Sequence, residues 1–203
     1  MLENNLDVIN EDLVYLIMQS HGRIQNLINF ADKKGNLEMI IIHYLSEENY
    51  DKALEYLKNV KDSHKVAEVV YKYSHIFFRY ETEKTVNLLR SIKDFKPIKL
   101  MPGLMNIPDS KRIHGVDLLR YCVEELRSRE KSLHNILIFF YATSPKEKRS
   151  ELIEMMKRSR LDFDLDFGLR LFKNYQISEA QIIVYGKMYL YSEAVSLALE
   201  NNK

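Results

Sequence analysis

Residues 23–60, RIQNLINFADKKGNLEMIIIHYLSEENYDKALEYLKNV, state one pattern three times at an interval of thirteen residues, and that repetition limits the folds open to the chain. Apolar residues fall at i, i+3, i+4 and i+7 in Ile24, Leu27, Ile28 and Ala31, again in Leu37, Ile40, Ile41 and Tyr44, and again in Tyr50, Ala53, Leu54 and Leu57. Each set makes one apolar stripe along a helix. A helix of about ten residues and a turn of about three fill the interval. Lys34-Gly35-Asn36 and Glu47-Glu48-Asn49 supply turn and cap residues at the right places. A short helix with a single stripe hides it only against its neighbours, so the pattern predicts an all-α fold, an α-solenoid of short antiparallel helix pairs.

Composition agrees. The chain has 203 residues, 46% of them hydrophobic, which is enough to bury a substantial core as one domain or as a continuous repeat array. Six glycines and four prolines are few for a sheet-and-turn fold. A formal charge of +1, from 30 basic and 29 acidic side chains, supplies no long-range attraction for nucleic acid or an anionic membrane. The single cysteine, Cys122, excludes a disulfide framework, favours a reducing compartment and reads as a small buried hydrophobe within LLRYCVEEL. No apolar run approaches the roughly twenty residues that span a bilayer. The opening MLENNLDVINEDL is acidic, unlike a signal peptide, so the expected location is cytoplasmic.

Along the chain, a short helix is expected over 11–19, a longer one over 63–78 with Ser63 as N-cap, and another over 82–91. The aromatic cluster Tyr71, Tyr73, Phe77, Phe78 and Tyr80 is flanked by Glu81 and Glu83, which suits helix packing better than base stacking. Residues 95–112, FKPIKLMPGLMNIPDSKR, hold three of the four prolines and break the rhythm. They read as an irregular joint between helical-repeat segments 1–94 and 113–203. Leu100, Met101, Leu104, Met105 and Ile107 argue against a free linker there. Further stripes follow in Leu119, Cys122, Val123 and Leu126, and in Leu133, Ile136, Leu137 and Phe140.

Ser144-Pro145 opens the next helix, whose Lys146, Lys148, Arg149, Lys157, Arg158 and Arg160 make it the most basic place in the chain. With Glu147, Glu151 and Glu154 interspersed it reads first as a solvated face and second as a partner surface. The last third marks helices at Leu165, Ile177 and Tyr191, spaced twelve and fourteen residues apart. YSEAV there echoes YDKAL of the opening unit. The expected structural repeat is Tyr50, Ala53, Leu54 and Leu57 matched by Tyr191, Ala194, Val195 and Ala198, with the Tyr packing across the turn and the Ala admitting a neighbouring helix.

Chemistry is hard to find. The six histidines are scattered singly, and HExxH, CxxC, GxGxxG and GxxxxGK[ST] are all missing. Asp162, Asp164 and Asp166 alternate in RLDFDLDFG without the glycine and terminal glutamate of a calcium loop, so one of them is expected to cap a helix. The expectation is a non-enzyme without catalytic residues, metal or cofactor.

The ordered combination HGRIQNLINFADKKGNLEMIIIHYLSEENYDKALEYL, VDLLRYCVEELRSREKSLHNILIFFYA and DFDLDFGLRLFKNYQISEAQIIVYGKMYLYSEAVSLALE resembles the Pep3/deep orange family, from about Leu13 to Glu200. Single repeats such as YDKAL or YSEAV are common to many trafficking coat and tether proteins, and the ordered combination with Leu133-His134-Asn135 before an aromatic-rich helix is much more specific. The resemblance implies clathrin-heavy-chain-type repeats, and a scaffold segment of a core subunit of the HOPS and CORVET tethering complexes. It implies class C vacuolar protein sorting subunits as partners, no nucleic acid, and peripheral association with late endosome and vacuole or lysosome membranes through the complex. Family members place such a solenoid between a β-propeller and a RING zinc domain, so this chain reads as a middle segment. Another coat or tether, such as clathrin heavy chain, is the alternative.

Overall fold

A computed structural model describes residues 11–93, 95–158 and 161–201, and every regular element among them is helical. Two compact units divide the chain, one ending at Val69 and the other beginning at Val70. The first contains α1 (Glu11–Ser20), α2 (Ile24–Lys34), α3 (Leu37–Ser46), α4 (Tyr50–Asn59) and the opening of α5 (Ser63–Tyr80). The second contains the rest of α5, then α6 (Thr82–Ser91), α7 (Met101–Leu104), α8 (Arg112–Glu124), α9 (Lys131–Thr143) and α10 (Lys146–Lys157). It ends with α11 (Leu165–Asn174), α12 (Ser178–Lys187) and α13 (Tyr191–Asn201).

The thirteen-residue interval has a specific cause. After α1, α2 and α3 the chain enters the left-handed region at Gly22, Gly35 and Glu48, with φ of 65°, 67° and 55°. The same happens after α11 and α12, at Gln176 (52°) and Tyr189 (60°). In each case the next residue's N–H reaches back to the carbonyl five residues earlier: Arg23 to Met18, Asn36 to Ala31, Asn49 to Tyr44, Ile177 to Phe172 and Leu190 to Tyr185, all at 2.9 Å. This is the longer bond of a Schellman closure, which satisfies carbonyls that a helix end would otherwise leave bare. The residue making it then becomes the N-cap of the following helix, so one short turn ends a helix and starts its antiparallel neighbour. Helices α11, α12 and α13 consequently begin thirteen residues apart, at 165, 178 and 191, and not at the expected twelve and fourteen.

In the first unit α1 packs on α2, α2 on α3 and α3 on α4. Tyr15, Leu27, Phe30, Ala31 and Ile40 form its core, with Tyr15 and Phe30 meeting edge to face at 5.6 Å. Tyr56 of α4 donates to Asp32 of α2 at 2.6 Å, and burial followed by that bond pushes the phenol pKa up. In the second unit α8 packs on α6 and α9, α9 on α10 and α11, and α12 on α10, α11 and α13. Phe77, Phe78, Phe140, Tyr141 and Phe172 are its largest fully buried side chains, so the aromatic cluster is divided, with Phe77 and Phe78 in the core.

One local expectation changes. Helix α5 extends to Tyr80, and Asp62, not Ser63, caps it: the Asp62 carboxylate accepts from the N–H groups of His64 and Lys65, both at 3.1 Å. Residues 95–112 pack inside the second unit as short turns, 3₁₀ at Pro97–Leu100 and Asp109–Lys111 around α7. Leu100, Leu104 and Ile107 are buried there. Gly103 is what lets α7 close on α5, because a Cβ would lie 2.6 Å from both the Phe78 ring and the Ser74 Cβ.

The turn geometry separates two substitutions. Gly35→Ala should cost about 1–2 kcal/mol, through backbone conformation alone, since its Cβ would meet nothing nearer than the Lys65 Nζ at 4.0 Å. Glu48→Gly, at the same register, should stabilise by about 0.5–1 kcal/mol. Urea midpoints at unchanged m-value measure both, and equal shifts of one sign would refute the assignment.

Candidate functional site

Helix α10 carries the basic surface. Its amphipathic pattern buries Leu152, Ile153, Met155 and Met156, which fixes where each cation points. Lys148 donates to Glu151 at 2.6 Å. Lys157 and Arg158 share Glu154, each at 3.9 Å, on the exposed face. Arg149 turns inward, its Nη1 and Nη2 donating to the carbonyls of Tyr175 and Ala142, both at 3.5 Å. Lys146 is exposed, and Arg160 lies outside the described residues. The six cations of the sequence are therefore divided among separate environments. Lys146, Arg149 and Lys157 meet at a groove of about 700 Å³ between α10, α12 and α13, with Ile153, Ile182 and Ala198 among its apolar lining.

Glu151 also joins α10 to two other helices. Arg120 of α8 pairs with it at 3.3 Å, and the buried Tyr141 hydroxyl of α9 donates to it at 3.3 Å. The Lys148 bond holds the Glu151 carboxyl below the usual carboxylate range against the opposing effect of burial, and the Lys148 and Arg120 charges add to it. Burial pushes the Tyr141 phenol up. It also pushes the Cys122 thiol up to about 12, so Cys122 is an inert packing group, with no thiolate at neutral pH.

Leu133-His134-Asn135 has a definite job. His134 is buried, and its Nδ1 accepts from the Asp162 N–H at 3.2 Å while its Nε2 lies 2.9 Å from the Ser128 carbonyl. Because Nδ1 accepts, Nε2 carries the proton and donates. Asn135 accepts from the Asp164 N–H at 3.0 Å. Two adjacent side chains of α9 thus hold the loop that leads into α11. Asp164 then caps α11, accepting from the Phe167 N–H at 2.7 Å, as the helix-cap reading of the three aspartates expects. Among the described residues no group of three or more His, Cys, Asp or Glu could hold a metal ion.

The two repeat quartets occupy different surroundings. Ala53, Leu54 and Leu57 are buried and Tyr50 is half-buried. Ala194 and Ala198 are half-buried, whereas Tyr191 is 61% and Val195 58% exposed. Tyr191 lies edge to face on the turn residue Tyr189 at 6.3 Å. In the sequence Pro102-Gly103 reads as a turn or a very short helix start, and the pair lies in the four-residue helix α7. The left-handed residues Gln176 and Tyr189 are not singled out by the sequence, because their residue types give no signal.

Compared with known proteins, residues 37–202 match the family model described as VPS18, alpha-solenoid domain, second half. The vacuolar protein sorting-associated protein 18 homolog of Danio rerio is 28% identical over 94% of this chain and 20% of its own length. The vacuolar sorting protein 18 of Arabidopsis thaliana is 27% identical over 96% of the chain and 20% of its own. The vacuolar membrane protein pep3 of Schizosaccharomyces pombe is 24% identical over 98% and 23%. The chain spans about a fifth of the length of these relatives.

Burial sets what enlarging the two alanines should do. Ala53→Leu is expected to cost about 1–3 kcal/mol by overpacking and Ala194→Leu less than about 1, with Lys157→Ala and Arg158→Ala each within about 0.5. Denaturant unfolding of the four variants checks the order, and an Ala194→Leu cost equal to that of Ala53→Leu would refute it. The Glu151 network sets a pH dependence. A carboxylate whose folded pKa is depressed stabilises above its unfolded value, about 4.3, and loses that contribution as pH falls through the folded one. Wild type should therefore exceed Glu151→Gln in stability at neutral pH, and the difference should shrink as pH drops from about 4.5 towards 3. A gap constant across that window, read from urea midpoints, would contradict the network.

Proposed function

The chain belongs to the VPS18 alpha-solenoid family, and from that membership we propose that it is a scaffold segment of a core subunit of the HOPS and CORVET membrane-tethering complexes. Its work in endosome-to-vacuole or lysosome transport and fusion is non-enzymatic: it holds partner surfaces at fixed separations. The observation that carries this is the turn repeated at a fixed register, because stacked repeats set distance and orientation through nearest-neighbour packing. The other class C vacuolar protein sorting subunits are its partners, and it reaches late endosome and vacuole or lysosome membranes as a peripheral component of the complex. No helix among the described residues is long and apolar enough to cross a membrane, which accords with that arrangement. In this reading residues 95–112, with 3₁₀ turns in place of ten-residue helices, form an irregular connection between helical-repeat segments 1–94 and 113–203 that lies within the second compact unit.

Co-expression of the chain with each tether subunit in turn tests the proposal. At least one class C subunit should co-elute with it in stoichiometric amount through size exclusion. A chain that is helical by circular dichroism yet elutes free of every subunit would overturn the scaffold reading.

A further inference from the structure

Three arginines, Arg112, Arg120 and Arg149, have a buried Nε with no hydrogen-bond partner. Arg112 is balanced by Asp109 at 2.7 Å, and Arg120 by Glu124 and Glu151. Arg149 pairs with no carboxylate among the described residues, and its two carbonyl contacts stand at 3.5 Å. A guanidinium stays charged, and its charge-assisted bonds to carboxylates are normally about 2.7–2.9 Å. Arg149 is thus under-compensated, at the lining of the groove between α10, α12 and α13.

A second feature of the same groove points the same way. Ser178 and Glu179, the first residues of α12, also line it, and the N-cap Ile177 has no side chain that could accept from the first-turn N–H groups. Those groups carry the positive end of the helix dipole, which Glu179 offsets only from within the turn. The Tyr175 carbonyl touched by Arg149 lies three residues before Ser178, so the guanidinium and the uncapped helix start are neighbours. At the opposite wall, Asn201 already donates to the Leu197 carbonyl at 2.9 Å, satisfying one acceptor of the last turn of α13. Lys146 adds a further cation with no ion pair among the described residues.

The groove is also lined by the apolar Ile153, Ile182 and Ala198, along helices of which α10 alone runs about 18 Å, and by the polar Ser150, Glu154, Lys157 and Gln176, the Glu154 carboxylate being already paired with Lys157 and Arg158. A small anion would engage Arg149 and leave that apolar lining wet. A chain segment with one apolar and one acidic face would cover both. We propose that this groove takes an acidic amphipathic segment of a partner protein, one carboxylate set between Arg149 and the first turn of α12, its apolar face on Ile153, Ile182 and Ala198. The proposal rests on the scaffold reading only for the class of occupant, a protein segment.

The test is a methyl-NMR titration of the 203-residue chain, labelled at isoleucine δ1, with an acetylated peptide of about twelve residues bearing Leu on one helical face and Glu on the other. The Ile153 and Ile182 methyls should shift saturably, and Arg149→Gln should weaken binding by about tenfold or more. The exposed Lys146→Glu should weaken it several-fold, which keeps the test decisive if Arg149→Gln unfolds. Equal binding of a peptide with Leu replaced by Ser would reduce the groove to diffuse electrostatics and overturn the proposal. So would equal competition by inorganic phosphate, or unmoved Ile153 and Ile182 methyls. Co-elution with tether subunits is a separate measurement, so loss of this site and loss of the scaffold reading are told apart.

Discussion

The left-handed residue between consecutive helices is the constraint on which the repeats depend. A helix end leaves carbonyls without partners, and a solenoid of ten-residue helices has an end every thirteen residues. Without a closure these ends would be costly to pack closely. The N–H that bonds five residues back satisfies such a carbonyl and reverses the chain in the same step, at 2.9 Å in all five turns that share the register. The neighbouring helix then begins at a fixed phase, and its i, i+3, i+4 stripe faces the helix just completed. Leu27, Ile40 and Ala53 occupy the same position after successive turns, and all three are buried. Gln181 and Ala194 hold that position in α12 and α13, buried and half-buried respectively.

Where helices are longer, the second unit uses side chains for what the turn does elsewhere. The connection from α8 to α9 has its own left-handed residue, Arg127, but its N–H closure runs from Ser128 to Cys122 over six residues. His134 fastens that connection to the loop before α11 through the Ser128 carbonyl and the Asp162 N–H. A buried imidazole with both nitrogens bonded to backbone fixes one tautomer and two loops together. Its neighbour Asn135 takes the next available N–H, at Asp164. This explains why Leu133-His134-Asn135 is informative where an isolated Tyr-x-x-Ala is not: the first encodes a particular junction, and the second any close helix pair.

Periodicity made most of the fold legible. Stripes at helical spacing located the helices, and Gly35 marked a turn by residue type. At Glu48 the following Asn49 marks the turn, but where the turn residue is Gln176 or Tyr189 residue type is silent, because a left-handed conformation there is imposed by the packing of the flanking helices at a cost of about 1–2 kcal/mol each. That silence produced the uneven spacing expected for the last three helices: Ile177 looked like the first residue of α12 because it is apolar, whereas it is the N-cap. The candidate surface was less legible still. Lys148, Lys157 and Arg158 each have a glutamate three or four residues away on the same helix. Arg149 lies among them in sequence, and only the tertiary position of the Tyr175 and Ala142 carbonyls distinguishes it.

That distinction bears on how a repeat protein can carry specificity at all. Regular stacking consumes apolar stripes and backbone groups in the same way at every step, so the repeats themselves offer each partner much the same surface. Specificity must then come from positions where the regular accounting fails to close. Arg112 and Arg120 sit in the same chemical situation as Arg149, with a buried Nε lacking a partner, yet the fold answers each of their charges with a carboxylate. An arginine retained without that answer is a local inconsistency, and natural sequences tolerate such inconsistencies chiefly at sites with a function. A scaffold needs few of them, because each partner requires one anchor once the stacked helices have fixed where that anchor stands.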